Sequence, residues 1–150
     1  MEIREGGLDD PRVHELLRYH LATVDNDSPP EYRHALDLDG LRELDFFTAW
    51  NDGELAGMGA LKEFAPGHSE VKSMRTAPGH LRRGVARAML NRLVARARER
   101  GCTRISLETG TSPQFAPANA LYERHGFIDC APFAEYPASP HNRFMTMKLR

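Results

Sequence analysis

The stretch from Met74 to Arg100 limits the possible folds more than any other part of the chain. An extended run ends at Thr76, Ala77-Pro78-Gly79 turns the chain, and an amphipathic helix starts after Gly84. Val85, Ala86, Met89, Leu90, Leu93, Val94 and Ala97 share one face of that helix, and Gly101 is a natural stop. A strand that enters a helix through a short glycine-containing loop leaves the first helical N–H groups without intrachain partners, at the positive end of the helix dipole. Gly84 and Ala86 leave room for close approach, and Arg82, Arg83 and Arg87 add positive charge. The loop has the physical character of a diphosphate site.

Nucleotide-binding loops of other kinds are excluded by the residues that do their chemistry. Gly79 and Gly84 have the Walker separation, but Val85 and Ala86 follow where Lys and Ser or Thr are needed. Gly57-Met58-Gly59 starts like a dinucleotide fingerprint, yet Lys62 stands at the third glycine and the segment reads as mid-strand. His14-Glu15 opens like a zinc-protease helix, but Arg18 replaces the second histidine, so no metal is expected.

The remaining elements surround this unit. Glu2 to Arg4 reads as a short strand, and Asp9-Asp10-Pro11 starts a helix that runs to about Val24. Asn26 to Pro30 breaks it, and a weaker helix is expected from Glu31 to Leu41. Leu44 to Trp50 and Leu55 to Phe64 form a hairpin about Asn51-Asp52-Gly53, and Glu70 to Thr76 adds a third strand. Thr103 to Leu107 is a strand, Phe115 to His125 a short helix, and Phe127 onward and Phe144 to Leu149 are strands. This order predicts a single α/β domain over residues 1–150 with a mixed, mostly antiparallel sheet.

At 41% hydrophobic and 27% charged residues, the chain can bury one real core. Its net charge of −1 gives no pull toward nucleic acid or an anionic membrane, and the arginines between Arg82 and Arg100 read as a solvated face. No run approaches the ~20 apolar residues of a membrane span. The N-terminus lacks a signal-length apolar stretch, so a cytoplasmic protein is expected. Cys102 and Cys130 read as two buried thiols rather than a disulfide.

Two motifs together resemble the GCN5-related N-acetyltransferase (GNAT) family. Its acetyl-CoA loop usually reads Arg or Gln, two residues, Gly, one residue, then Gly or Ala. Gly84, Val85 and Ala86 fit this form, and Leu81 departs from it. The departure touches a side chain, whereas the family's loop works mainly through backbone N–H groups. Asn119-Ala120-Leu121-Tyr122-Glu123-Arg124-His125-Gly126-Phe127 is similar to the family's late helix and closing Gly-Phe. Asn119 and Tyr122 project from one face of that helix. The resemblance covers about Leu44 to Leu149, and the first 43 residues match only as helices. Val71 to Thr76, Ser106 to Gly110 and Phe115 to Pro117 resemble the bacterial YsnE-like branch.

The resemblance implies a GNAT fold, with six or seven strands splayed near Met74 to Thr76 and about four helices. It implies acetyl-CoA as donor, with the main chains of Met74 and Thr76 along the pantetheine arm and Asn119 touching the cofactor. An alkylammonium must lose a proton before it attacks, and the departing thiolate gains from receiving one. Tyr122 is the expected general acid, against a plain packing role. Glu70 is the expected base, against a strand carboxylate paired with Lys72 or Arg75, and Glu108 is the rival base or ammonium holder. Neither cysteine sits in a nucleophile motif, so direct transfer in a ternary complex to a primary amine is expected. His34, Trp50, Arg75 and Glu108 are candidates for the acceptor pocket. A carboxylate-binding Arg75 or Lys72 points to a small amino-acid-like acceptor. A non-catalytic acyl-CoA sensor and a protein N-terminal or lysine acetyltransferase are the alternatives, and a homodimer is expected from the exposed late strands.

Overall fold

The computed structural model describes residues 1–27, 38–134 and 136–150. Among these residues seven strands form one sheet: β1 (Glu2–Glu5), β2 (Asp45–Asn51), β3 (Glu54–Ala65), β4 (His68–Thr76), β5 (Arg104–Gly110), β6 (Ile128–Asp129) and β7 (Asn142–Lys148), in the order β1-β2-β3-β4-β5-β7-β6. Four α-helices accompany it among the described residues: α1 (Pro11–Asp27), α2 (Leu38–Leu41), α3 (Val85–Glu99) and α4 (Ala116–His125). Every strand pair is antiparallel except β4–β5. The mixed sheet and its helices are those expected from the sequence.

Local chemistry explains the well-anticipated parts. The hairpin between β2 and β3 turns through Asp52 and Gly53, both at positive φ, as a tight two-residue connection requires. Asp10 caps α1 by accepting from the Arg12 amide at 2.9 Å. Helix α3 lays Val85, Met89, Leu90, Leu93, Val94 and Ala97 on the sheet with Phe47, Leu61, Val71 and Ile105. Burial of each larger side chain stabilises the fold by ~2 kcal/mol relative to exposure. The helix approaches closely because β3 has glycine beneath it. A Cβ on Gly57 would lie 2.8 Å from Val85 Cγ1 and 3.0 Å from the Arg75 carbonyl oxygen. The opposite face carries α1 and α2, where Val13, Leu16, Leu17 and Leu41 pack on Phe46, Trp50, Met58 and Ala60.

Several boundaries differ from expectation. Helix α1 continues to Asp27, β5 continues past Leu107 to Gly110, and the strand after Phe127 is only Ile128–Asp129. Of the weak second helix, residues 31–37 lie outside the described residues, and Leu38–Leu41 is helical. Both cysteines are free, but only Cys102 is buried; Cys130 is half-exposed beyond β6. The arginines of α3 are not simply a solvated face. Arg96 pairs with Glu5 at 2.7 Å and Asp45 at 3.3 Å, and Arg100 with Asp45. Arg92 and Arg96 also lie over the Phe47 ring, 4.7 and 4.9 Å from its centroid. These contacts fasten the helix to the β1–β2 side of the sheet. No helix of the described residues is long and apolar enough to cross a membrane.

Candidate active site

Strands β4 and β5 pair only from His68 to Glu70 and from Arg104 to Ser106. Beyond that point β4 stays on β3 and β5 stays on β7, so the sheet opens into a cleft. The opening falls slightly earlier than the Met74 to Thr76 expected from sequence. It leaves one edge of residues 71–76 without strand partners among the described residues.

A bulge determines which side chains face the cleft. Lys72 lies opposite Ala60 and Arg75 opposite Met58, so β4 spends one residue more than β3 between these pairs. Ser73 takes up the excess at a φ of 50°. Simple alternation would put Arg75 on the face opposite to Lys72. With the bulge, Glu70, Lys72 and Arg75 share the α1 side, and Met74 packs on the core cluster of α3. The Ser73 hydroxyl is buried without a hydrogen-bond partner among the described residues.

The cleft contains a cavity of about 190 Å³, whose walls include Glu70, Lys72, Arg75, Glu108, Tyr122 and Tyr136. Glu70 is only 3% exposed. It accepts a 2.5 Å hydrogen bond from the Tyr136 hydroxyl and lies 3.4 Å from the Lys72 ammonium, which also donates to Tyr136. Burial pushes its carboxyl above the usual range, against the pull of Lys72. Glu108 stands on the neighbouring strand and accepts from Asn142 Nδ2 at 2.8 Å. Burial pushes it up to about 7; the Asn142 bond opposes this and the charge of Glu70 adds to it. One carboxyl is thus tied into a buried network, and the other is tuned to change charge near neutrality.

Tyr122 projects from α4 into the same cavity. Burial raises its phenol to about 12, so it holds its proton at neutral pH. Asn119, one turn away, accepts from Thr109 Oγ1 at 2.8 Å and donates to the Gly110 carbonyl at 3.0 Å, pinning α4 to the end of β5.

The loop ahead of α3 has the features that an anion needs. Arg82 and Gly84 are both left-handed, at φ 62° and 80°, and no side chain caps the helix. The first turn contains no acidic residue, while Arg82, Arg83 and Arg87 crowd the positive end of the dipole. That arrangement disfavours the helix unless an anion completes it. Leu81 is 59% exposed at the loop tip, and a Cβ on Gly84 would meet nothing within 4 Å. Open N–H groups of Val85, Ala86 and Arg87 beside an unpaired strand edge at Met74 and Thr76 fit a diphosphate carrying an extended, amide-containing arm.

Two acceptor candidates do not join this group. Trp50 is buried on the α1 side, donates to Thr48 Oγ1 at 2.8 Å, and is flanked by Arg4 and Arg12, with their guanidinium carbons 4.9 and 4.6 Å from its ring centroid. It is absent from the cavity wall because β1 and α1 cover it. His34 lies outside the described residues. Conversely, the cavity wall includes residues that the sequence did not single out, among them His20 from α1 and Tyr136 from the late loop. No local motif marks either one.

The fold and cleft define a class, and comparison with known proteins agrees: the model of the acetyltransferase (GNAT) family matches residues 12–127. The chain belongs to that family, and its enzyme class is N-acetyltransferase. It is 48% identical to the uncharacterized N-acetyltransferase YsnE of Bacillus subtilis (strain 168), covering 99% of this chain and 100% of that one. It is 46% identical to the uncharacterized N-acetyltransferase YedL of Escherichia coli (strain K12), covering 98% and 94%. The resemblance to the YsnE-like branch therefore holds over nearly the whole length. Among solved structures, a GNAT-family acetyltransferase of Staphylococcus aureus Mu50 superposes with a TM-score of 0.77 at 20% identity over 99% of both chains. A GNAT-family acetyltransferase of Elizabethkingia anophelis, solved with acetyl-CoA bound, gives 0.71 at 18% identity, covering 99% of this chain and 97% of that one.

Proposed function

We propose that this protein transfers an acetyl group from acetyl-CoA to the primary amine of a small, amino-acid-like acceptor, by direct attack in a ternary complex. The observation that carries this reading is the meeting, at one splayed cleft, of an uncapped arginine-rich helix start with a buried acid–base set. Acetyl-CoA, when bound, supplies an activated thioester. The N–H groups of Gly84, Val85, Ala86 and Arg87 would hold its diphosphate, with Leu81, Arg82 and Arg83 framing the loop and Met74 and Thr76 offering main-chain pairing to its arm.

Glu108 receives the proton of the acceptor ammonium. Its raised pKa suits this task better than the position of Glu70, which is already engaged by Tyr136 and Lys72. Glu70 keeps the acidic wall charged or shared with a proton, and so favours a cationic acceptor. Tyr122 holds a proton in the cavity, where the departing sulfur can take it, and Asn119 fixes the helix that carries it. Burial of the Glu70 and Tyr122 side chains strengthens the interactions that they make.

Tyr122→Phe tests the reading. Thiol release from acetyl-CoA in the presence of amines should fall by ~10²-fold or more, while calorimetry should show unchanged acetyl-CoA affinity. A sensor without catalysis would release no thiol with any amine even before substitution, and that result would overturn the proposal.

A further inference from the structure

A buried histidine in the cavity wall has a hydrogen-bonding state set by its neighbour. Arg75 Nε lies 2.9 Å from His20 Nδ1. A guanidinium only donates, so His20 Nδ1 must accept. A neutral imidazole that accepts at Nδ1 carries its proton on Nε2. Burial and the charge of Arg75 both hold His20 well below its ordinary pKa, so the ring stays neutral. His20 is 8% exposed and lines the cavity, and its Nε2–H has no acceptor among the described residues. A donor at the cavity wall without a partner among the described residues is available to a group bound in the cavity.

The bulge at Ser73 places Arg75 on the α1 side of β4, against His20 and within 5.8 Å of the Tyr19 ring centroid. The cavity therefore has an acidic side on β4 and β5, formed by Glu70 and Glu108, and a donor side where β4 meets α1. Lys72 does not extend the donor side, because its ammonium is engaged with Glu70 and Tyr136.

We propose that His20 and Arg75 form a carboxylate-binding subsite, in which His20 Nε2–H donates to the acid group of the acceptor while Arg75 supplies the opposite charge. The acceptor is then a zwitterion, its ammonium toward Glu108 and its carboxylate toward His20. This rests on the acetyl-transfer reading above and adds a residue from α1 that selects the substrate. A neutral donor beside a permanent cation favours an acid over its carboxamide, which can accept a hydrogen bond from His20 but carries no charge to meet Arg75.

The test is calorimetry on the full chain saturated with CoA, using matched reaction products as probes: N-acetyl derivatives of the common amino acids against the corresponding N-acetyl carboxamides. The acids should bind at least ~10-fold more tightly than their amides, and His20→Leu should bring the ratio close to one with acetyl-CoA affinity retained. His20→Gln, which can return an N–H near the place of Nε2, should keep most of the preference. Should His20→Leu fail to fold, Arg75→Gln, at a half-buried side chain, must erase the preference instead. Equal binding of acids and amides, binding of neither, or a ratio that survives the substitutions would overturn the subsite. Loss of the acetyl-transfer reading has a different signature, because acetyl-CoA itself would then neither bind nor release thiol with any amine.

Discussion

Replacing Glu108 by Gln removes its charge while keeping an acceptor for Asn142, and so isolates what burying this carboxyl costs. Burial pushes its pKa up to about 7 from the ordinary carboxyl value of 4.5. Each tenfold shift corresponds to ~1.4 kcal/mol, so ionising the group in the folded state costs up to ~3 kcal/mol more than in the unfolded chain. The side chain is only partly buried, and solvent screening reduces this to about 1–2 kcal/mol. Because the folded pKa is raised, the stability due to the neutral carboxyl is complete below pH 4.5 and disappears as pH climbs through 7. Parent and Glu108→Gln should therefore have similar stability at pH 4.5, and the variant should be the more stable by about 1–2 kcal/mol at pH 8. For a chain of this size the midpoint of thermal unfolding should rise by roughly 2–8 °C at pH 8. Urea unfolding across this range measures the difference. In the same samples, kcat/KM of the parent should increase through about pH 7 as the base loses its proton, while the variant loses that limb and ~10²–10⁴-fold of rate. A stability difference that does not change with pH would refute the burial account, and an unchanged pH–rate limb would refute the base.

Two further substitutions probe the parts that position the site. Gly57→Ala should cost about 1–3 kcal/mol in urea unfolding and weaken acetyl-CoA binding, because the new methyl meets Val85 and the Arg75 carbonyl and pushes the start of α3 away from the sheet. Tyr136→Phe removes a donor that favours the charged form of Glu70 and should raise the Glu70 pKa further. Its cost of about 1–2 kcal/mol should appear at pH 8 and shrink as Glu70 gains its proton in acid, as unfolding at the two pH values will show.

What the sequence made legible is local. The Asn51-Asp52-Gly53 turn, the apolar stripe of α3 and the Gly84 helix start each depend on residues a few positions apart, where turn chemistry and period act directly. The cleft was legible only through the family motifs at Gly84 and Asn119. His20 and Tyr136 were hidden because α1 and the late loop deliver them across 50 or more residues of chain, and nothing in their own neighbourhoods requires it. Arg75 was placed in the pocket without its reason, since a serine gives little warning of a positive φ. Trp50 misled because an aromatic near a predicted strand end is equally suited to a pocket or to cover by arginines.

The bulge at Ser73 has a consequence for how such an enzyme can change. One strand carries two rows: Val71 and Met74 pack with the α3 cluster, while Glu70, Lys72 and Arg75 carry charge on the α1 side, and in the proposed reading the first row supports the donor and the second meets the acceptor. On that reading, substitutions at Lys72 or Arg75 should retune which amine is acetylated while donor binding at the start of α3 is retained. Straightening the bulge with Ser73 kept in the strand would exchange the rows beyond it, pressing the Arg75 guanidinium into the apolar α3 side and turning Met74 toward α1. Absorbing Ser73 as a bulge thus keeps Met74 and Arg75 on the faces that their neighbours Val71 and Lys72 already occupy.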